Sequence, residues 1–261
     1  MSRRKLGVKI AGIGVLLKGL PDDGIELLEK RYEAFLTKQA EKVWEINWGS
    51  EEAVVSSEPE FRLQNDRWVF GMGDFKAEWN PSRNKGRIVM NASEYTMESF
   101  LRIWYSTMLL VEGGGLFHAA GLIRDGRGFL FIGPSGSGKT TLTRKCKLDE
   151  VLSDELVAVR REGNGYVIYG TPFMGELGVG GNSRSARIDR FFVVHHDGAP
   201  GPRAVNPAEA VAELWGTLMC FARGGAFYER ALSLCESMAV GMPCERFSLL
   251  KNEDPWRMLD G

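Results

Sequence analysis

Along the first ninety residues apolar and polar positions alternate in short stretches; beyond them the apolar runs lengthen. Val8, Ile10, Gly12 and Gly14 follow a period of two, which predicts a strand over residues 9–17. Pro21-Asp22-Asp23 then opens a helix with Ile25, Leu28, Tyr32, Phe35 and Leu36 on one face. Aromatic-rich segments at 43–48, 61–63, 67–70, 75–79 and 87–90 are separated by Asn65-Asp66, Gly71, Gly73 and Asn80-Pro81, and together predict an antiparallel meander. Asn91 with Glu94 makes a capping-box-like helix start. Phe100, Ile103, Trp104, Met108 and Val111 form that helix's stripe, and residues 113–115, all glycine, stop it.

Two apolar runs follow, 116–123 and 129–132, parted by Arg124-Asp125-Gly126-Arg127-Gly128. Asp-Gly between apolar segments predicts a hairpin, so the second run has an antiparallel partner just before it. Further on, the pattern predicts a helix over 140–146, strands over 151–159, 166–169 and 191–195, and a helix over 207–230 with Val211, Leu214, Trp215 and Leu218 on its apolar face. The whole reads as α/β: a mixed, partly antiparallel sheet in a domain over 113–261, preceded by an N-terminal α+β layer over 1–112.

Composition narrows the chemistry. Of 261 residues 26% are charged, yet the net charge is only -1, without the basic field that nucleic acid or an anionic membrane requires. The tryptophans are interleaved with Glu and Asp, so they read as core and cross-strand pairs rather than as a base-stacking surface. Cys146, Cys220, Cys235 and Cys244 lie apart, without zinc-ligand spacing, and read as reduced structural thiols. Ser2-Arg3-Arg4-Lys5-Leu6 has the outline of a twin-arginine leader, but Lys9 interrupts the apolar run and no A-x-A site follows; the expectation is a cytoplasmic protein.

Residues Gly133-Pro134-Ser135-Gly136-Ser137-Gly138-Lys139-Thr140 satisfy G-x-x-x-x-G-K-[ST] at every position, after an apolar strand and before a helix. Glycines at these positions let successive amides turn inward as an anion nest, and the helix start adds partial positive charge. Lys139 is expected on the β- and γ-phosphates of a nucleoside triphosphate, ATP in the leading reading. Thr140 is expected on Mg²⁺, with Thr141 next to it.

Asp154-Glu155 closes the apolar run 151–159's first half with two carboxylates, suited to a metal-bound water and to accepting a hydroxyl proton. Side chains alternate along a strand, so both face the nucleotide only if the strand ends there. His118, in the hairpin region, is either a hydrogen-bonded core residue or an orienter of a catalytic carboxylate. His195 and His196, with Asp197, read as surface residues. The Gly-rich run 175–181, followed by Arg184 and Arg187, suits a lid that brings an arginine to the phosphates.

Phe117-His118-Ala119-Ala120-Gly121, the hairpin, the loop 133–140 and Leu152-Ser153-Asp154-Glu155 together resemble the catalytic domain of HPr serine kinase/phosphorylase. They resemble more nearly the stand-alone HPr-kinase-like proteins, akin in structure to ATP-dependent phosphoenolpyruvate carboxykinases. The resemblance covers about 116–197. It implies a P-loop phosphotransferase acting on a hydroxyl of a protein, peptide or small molecule. His118 polarises the catalytic carboxylate, Lys139 and Thr140 handle phosphate and metal, and Glu176 takes a second metal position. Two positions depart from the family pattern. Glu155 stands where the family has a second aspartate, and Glu176-Leu177-Gly178-Val179-Gly180 matches the family's Glu-Arg-Gly signature only loosely. The alternative reading is an ATP-binding accessory module of a peptide-modification system; homo-oligomerisation is left open.

Overall fold

The structure, a computed structural model, describes residues 5–50, 57–173, 175, 181–195, 202–248 and 254–260, the last three by backbone alone. It is a mixed α/β chain that clusters into two compact units, Met1–Thr107 with Phe221–Gly224, and Met108–Cys220 with Gly225–Gly261. Among the described residues no helix is long and apolar enough to cross a membrane.

The first unit contains β1 (Lys5–Ile10), β2 (Ile13–Lys18), α1 (Asp22–Arg31), β3 (Lys42–Trp48), β4 (Glu60–Gln64), β5 (Arg67–Met72), β6 (Phe75–Asn80), β7 (Lys85–Met90) and most of α2 (Glu94–Val111). The seven strands form one sheet in the order β1-β2-β3-β7-β6-β5-β4. The expected single strand over 9–17 is instead a hairpin. Ala11 and Gly12 take φ of 48° and 81°, the paired left-handed conformation of a tight reversal, and β1 and β2 pair antiparallel around them. β4 to β7 form the expected meander, but β3 lies outside it, parallel to both β2 and β7. The chain reaches β3 through α1, and a helical crossover delivers the next strand parallel.

Helix α1 ends at Arg31, and residues Glu33–Phe35 tighten into a 3-10 turn that leaves Leu36 exposed rather than on the buried face. Ser93, not Asn91, supplies the cap of α2, its hydroxyl accepting from Tyr95 N at 3.2 Å. Trp44, Trp79, Trp104 and Phe100 are fully buried. Trp44 lies 5.0 Å from Trp79 and 4.8 Å from Phe100, ring centre to ring centre, so the aromatic segments form a core. Gly86 lies under Trp44: a Cβ there would fall 2.4–2.6 Å from three carbons of its ring.

The second unit contains the end of α2, then β8 (Gly114–His118), β9 (Ala120–Arg124), β10 (Arg127–Ile132), α3 (Lys139–Lys145), β11 (Val151–Ser153), β12 (Leu156–Glu162), β13 (Gly165–Tyr169), β14 (Ser185–His195), β15 (Arg203–Ala204), α4 (Pro207–Thr217), α5 (Gly225–Gly241), β16 (Cys244–Ser248) and α6 (Pro255–Asp260). Its sheet runs β11-β9-β10-β14-β13-β12-β8, with β16 parallel to β14. The β9–β10 hairpin turns on Asp125 and Gly126, at φ of 51° and 75°. β10 lies between antiparallel β9 and parallel β14 and is buried on both faces. Leu130 and Ile132 pack toward α4 and α5, whereas Phe129 and Phe131 pack with Leu142 of α3, Phe192 and Trp256.

Two expected strands are each broken in the middle. The run 116–123 divides at Ala119 into β8 and β9, and the run 151–159 divides after Ser153 into β11 and β12. β8 pairs with β12 and β9 with β11, so the sheet curls and the two breaks face each other, bridged by Ala119 N donating to Glu155 O at 3.1 Å. The Ser153 hydroxyl accepts from Glu155 N and Leu156 N, both at 3.3 Å, replacing ladder bonds with a local turn. The helix expected over 207–230 also divides, into α4 and α5, and Trp215 of its supposed apolar face is exposed.

Candidate functional site

β10 ends against β14 and delivers the chain into the glycine-rich loop between Ile132 and Lys139. Gly133, Gly136 and Gly138 take φ of 148°, 77° and 104°, a region costly for residues with a Cβ. At Gly133 space is also lacking, since a Cβ would stand 2.7 Å from Val194 O and 2.9 Å from Ser137 Oγ. Ser137 is buried, and its hydroxyl has no hydrogen-bond partner among the described residues.

Lys139, first residue of α3, is 5% exposed. Its ammonium donates to Gly133 O at 2.8 Å and to Pro134 O at 3.0 Å, folding the side chain back over its own loop. Burial lowers its pKa from the ordinary lysine value, and the negative charge of Glu155 works against that shift.

A cleft of about 290 Å³ opens at this loop. Ser135, Gly136, Gly138, Lys139, Thr140 and Thr141 line one side. His118, Asp154 and Glu155 come from the facing strand breaks. Because β11 stops at Ser153, Asp154 and Glu155 escape the alternation of a strand and both reach the cleft. Asp154 is 5% exposed. His118 Nδ1 lies 3.7 Å from Glu155 Oε1, close enough for mutual polarisation and longer than a hydrogen bond.

The structure thus brings together Ser135, Gly136, Gly138, Lys139, Thr140, Thr141, His118, Asp154 and Glu155. Gly133 and Ser137 support the loop from behind without lining the cleft. Arg184 stands apart from it: its guanidinium donates to Asp149 O, and it lines a separate polar hollow with Lys145, Lys147 and Trp256. Its side chain is turned toward the far end of α3, so the structure does not bring it to the cleft. Arg187 is bonded to Asn164 Oδ1 at 2.8 Å, also away from the cleft. His195, read as a surface residue, is partly buried, 4.0 Å from Glu213. Glu176, His196 and Asp197, and most of the Gly-rich run, lie outside the described residues.

Sequence reasoning missed Gly175, whose main chain abuts the Asp154 carboxylate: a Cβ there would stand 2.7 Å from Oδ1. Only its place in a Gly-rich run hinted at it. A larger cavity, about 580 Å³, opens beside α5 and the start of β8, with Arg161, Glu229 and Arg230 in its lining. The smaller cleft is the candidate site because, among the described residues, it joins the glycine-rich loop to a buried ammonium, an imidazole and two carboxylates. Burial pushes the Cys146, Cys235 and Cys244 thiols up to about 12 and raises that of Cys220, which disfavours the reactive thiolate.

No protein-family model matches this chain, and no curated protein matches it. Among solved structures it is similar to the Hpr(Ser) kinase/phosphatase from Coxiella burnetii, at 14% identity and a TM-score of 0.30, over 51% of this chain and 85% of that one.

Proposed function

We propose that this chain is an ATP- and magnesium-dependent phosphotransferase acting on a hydroxyl group of a protein, peptide or small molecule. The observation that carries the reading is the single cleft in which the Lys139 loop faces His118, Asp154 and Glu155. Charge supports it as well. Among the described residues lining it, one ammonium stands against two carboxylates, an arrangement that suits a triphosphate complexed with a divalent cation better than a bare one. A hydroxyl and a carboxylate are hard oxygen donors of the kind magnesium prefers. The unpartnered Ser137 hydroxyl, buried behind the loop, adds a polar group available to support a loaded loop.

In this mechanism Lys139 exchanges its loop carbonyls for the β- and γ-phosphate oxygens, and the glycine-bearing backbone carries the rest of the tail. Magnesium, when bound, neutralises charge on the phosphate oxygens, and Thr140 and Asp154 are the residues that would hold it. Glu155 takes the proton of the acceptor hydroxyl as that oxygen bonds to the terminal phosphorus and the bridging P–O bond to the diphosphate breaks. His118, 3.7 Å from Glu155, orients and polarises the carboxylate.

That same 3.7 Å separation favours a second reading, a nucleotide-gripping accessory module with little or no transfer, since it is longer than a hydrogen bond between that imidazole nitrogen and that carboxylate oxygen. Titration with ATP, GTP and pyrophosphate, each with Mg²⁺, tests the shared site. Glu155→Gln separates the readings. The kinase reading expects transfer to fall by about 10²–10⁴-fold, the usual worth of a general base, with nucleotide affinity retained. Transfer absent from wild type and variant alike, with binding intact, favours the accessory module.

A further inference from the structure

We propose that Gly175 is a positioning residue for Asp154: its bare main chain is the wall that fixes the direction of the buried carboxylate. Built onto Gly175, a Cβ would stand 2.7 Å from Asp154 Oδ1 and 2.8 Å from both Cγ and Oδ2, distances that real Cβ atoms essentially never show. The requirement is one of space.

Asp is a short side chain, and here it is buried. Asp154 is 5% exposed, and the residues flanking it are tied to the segment that carries Gly175. Before Asp154, Val151 O accepts from Asn182 Nδ2 at 2.5 Å; after it, Leu156 O accepts from Thr171 Oγ1 at 2.5 Å. Gly170 N donates to Arg184 O at 3.1 Å, closing the base of that segment, and Phe173, two residues before Gly175, is fully buried. Thr171 and Phe173 anchor the chain just before Gly175, so an added methyl is expected to turn the carboxylate.

The functional consequence rests on the nucleotide reading above, in which Asp154 helps to hold the metal; the contact itself does not. The experiment is a double-mutant cycle of Gly175→Ala and Asp154→Ala, read by thermal denaturation and by ATP affinity with Mg²⁺ and with EDTA. Gly175→Ala is expected to lower Tm in the parent, and to leave it unchanged in the Asp154→Ala background, where the methyl enters vacated space. It is expected to weaken affinity for ATP with Mg²⁺ at least tenfold and affinity for metal-free ATP less than twofold. Additive Tm shifts overturn the proposal, and equal losses with and without Mg²⁺ overturn its functional half. A wild-type protein with no nucleotide affinity sinks the site reading, while the Tm cycle still decides the contact.

Discussion

Replacing Lys139 with Met tests the site at its most exacting point. Two energies oppose each other in the free protein. The ammonium donates to Gly133 O and Pro134 O, and two bonds from a charged donor at about 1.5 kcal/mol each bound the loss at about 3 kcal/mol. Burying the ammonium is itself unfavourable, which is why its pKa is lowered, and methionine removes that penalty while filling much the same volume. The net loss of stability is therefore expected near 1 kcal/mol, a fall in Tm of about 2–4 °C. Binding has no such offset. A charge-assisted bond to phosphate worth about 2–3 kcal/mol is lost, and at 1.4 kcal/mol per factor of ten the Kd for ATP with Mg²⁺ rises about 30–150-fold. Calorimetric titration beside a melting curve reads both quantities. An affinity within twofold of wild type, with the fold intact, refutes the assignment of Lys139 to phosphate.

Two further predictions follow from the same structure. The lysine's folded pKa lies below its unfolded value, so its burial costs stability at neutral pH, and that cost is relieved as pH rises through the folded value toward 10.5. Nucleotide affinity should move the opposite way, falling with a midpoint below the ordinary lysine value; Glu155→Gln, which removes the charge that props the pKa up, should shift that midpoint lower still in a pH series of titrations. In the first unit, Gly86→Ala drives a methyl into the Trp44 ring and should destabilise by about 1–3 kcal/mol in denaturant unfolding; a neutral or stabilising result would mean that the ring has room to slide.

The strand, glycine-rich turn and helix around 133–140 were legible because the signal is local: glycine positions, one lysine and one threonine at fixed spacing after an apolar run. The Asp125-Gly126 reversal was legible for the same reason. The Ala11-Gly12 reversal was not, because alanine at a φ of 48° is a conformation that its side chain disfavours and that only the pairing of β1 with β2 imposes. The breaks at Ala119 and after Ser153 were hidden inside unbroken apolar runs, where hydropathy has no reason to change. They come from a serine hydroxyl bonded to two amides and from strands distant in sequence. The position of Arg184 was not legible, because its bond is to the main chain of Asp149, 35 residues earlier. The parallel placement of β3 is likewise a matter of crossover geometry, which no local pattern encodes.

The facing breaks in the two long strand pairs have an implication for how this protein tolerates change. His118 and Glu155 hang from a single crease, closed by the Ala119-to-Glu155 amide-to-carbonyl bond and by the pairing of β8 with β12 beside it. Substitutions in the surrounding apolar layers can then soften or harden the molecule while the interval between imidazole and carboxylate is preserved. On this geometry the spacing of the two side chains follows the backbone of the crease, and stability follows the packing around it.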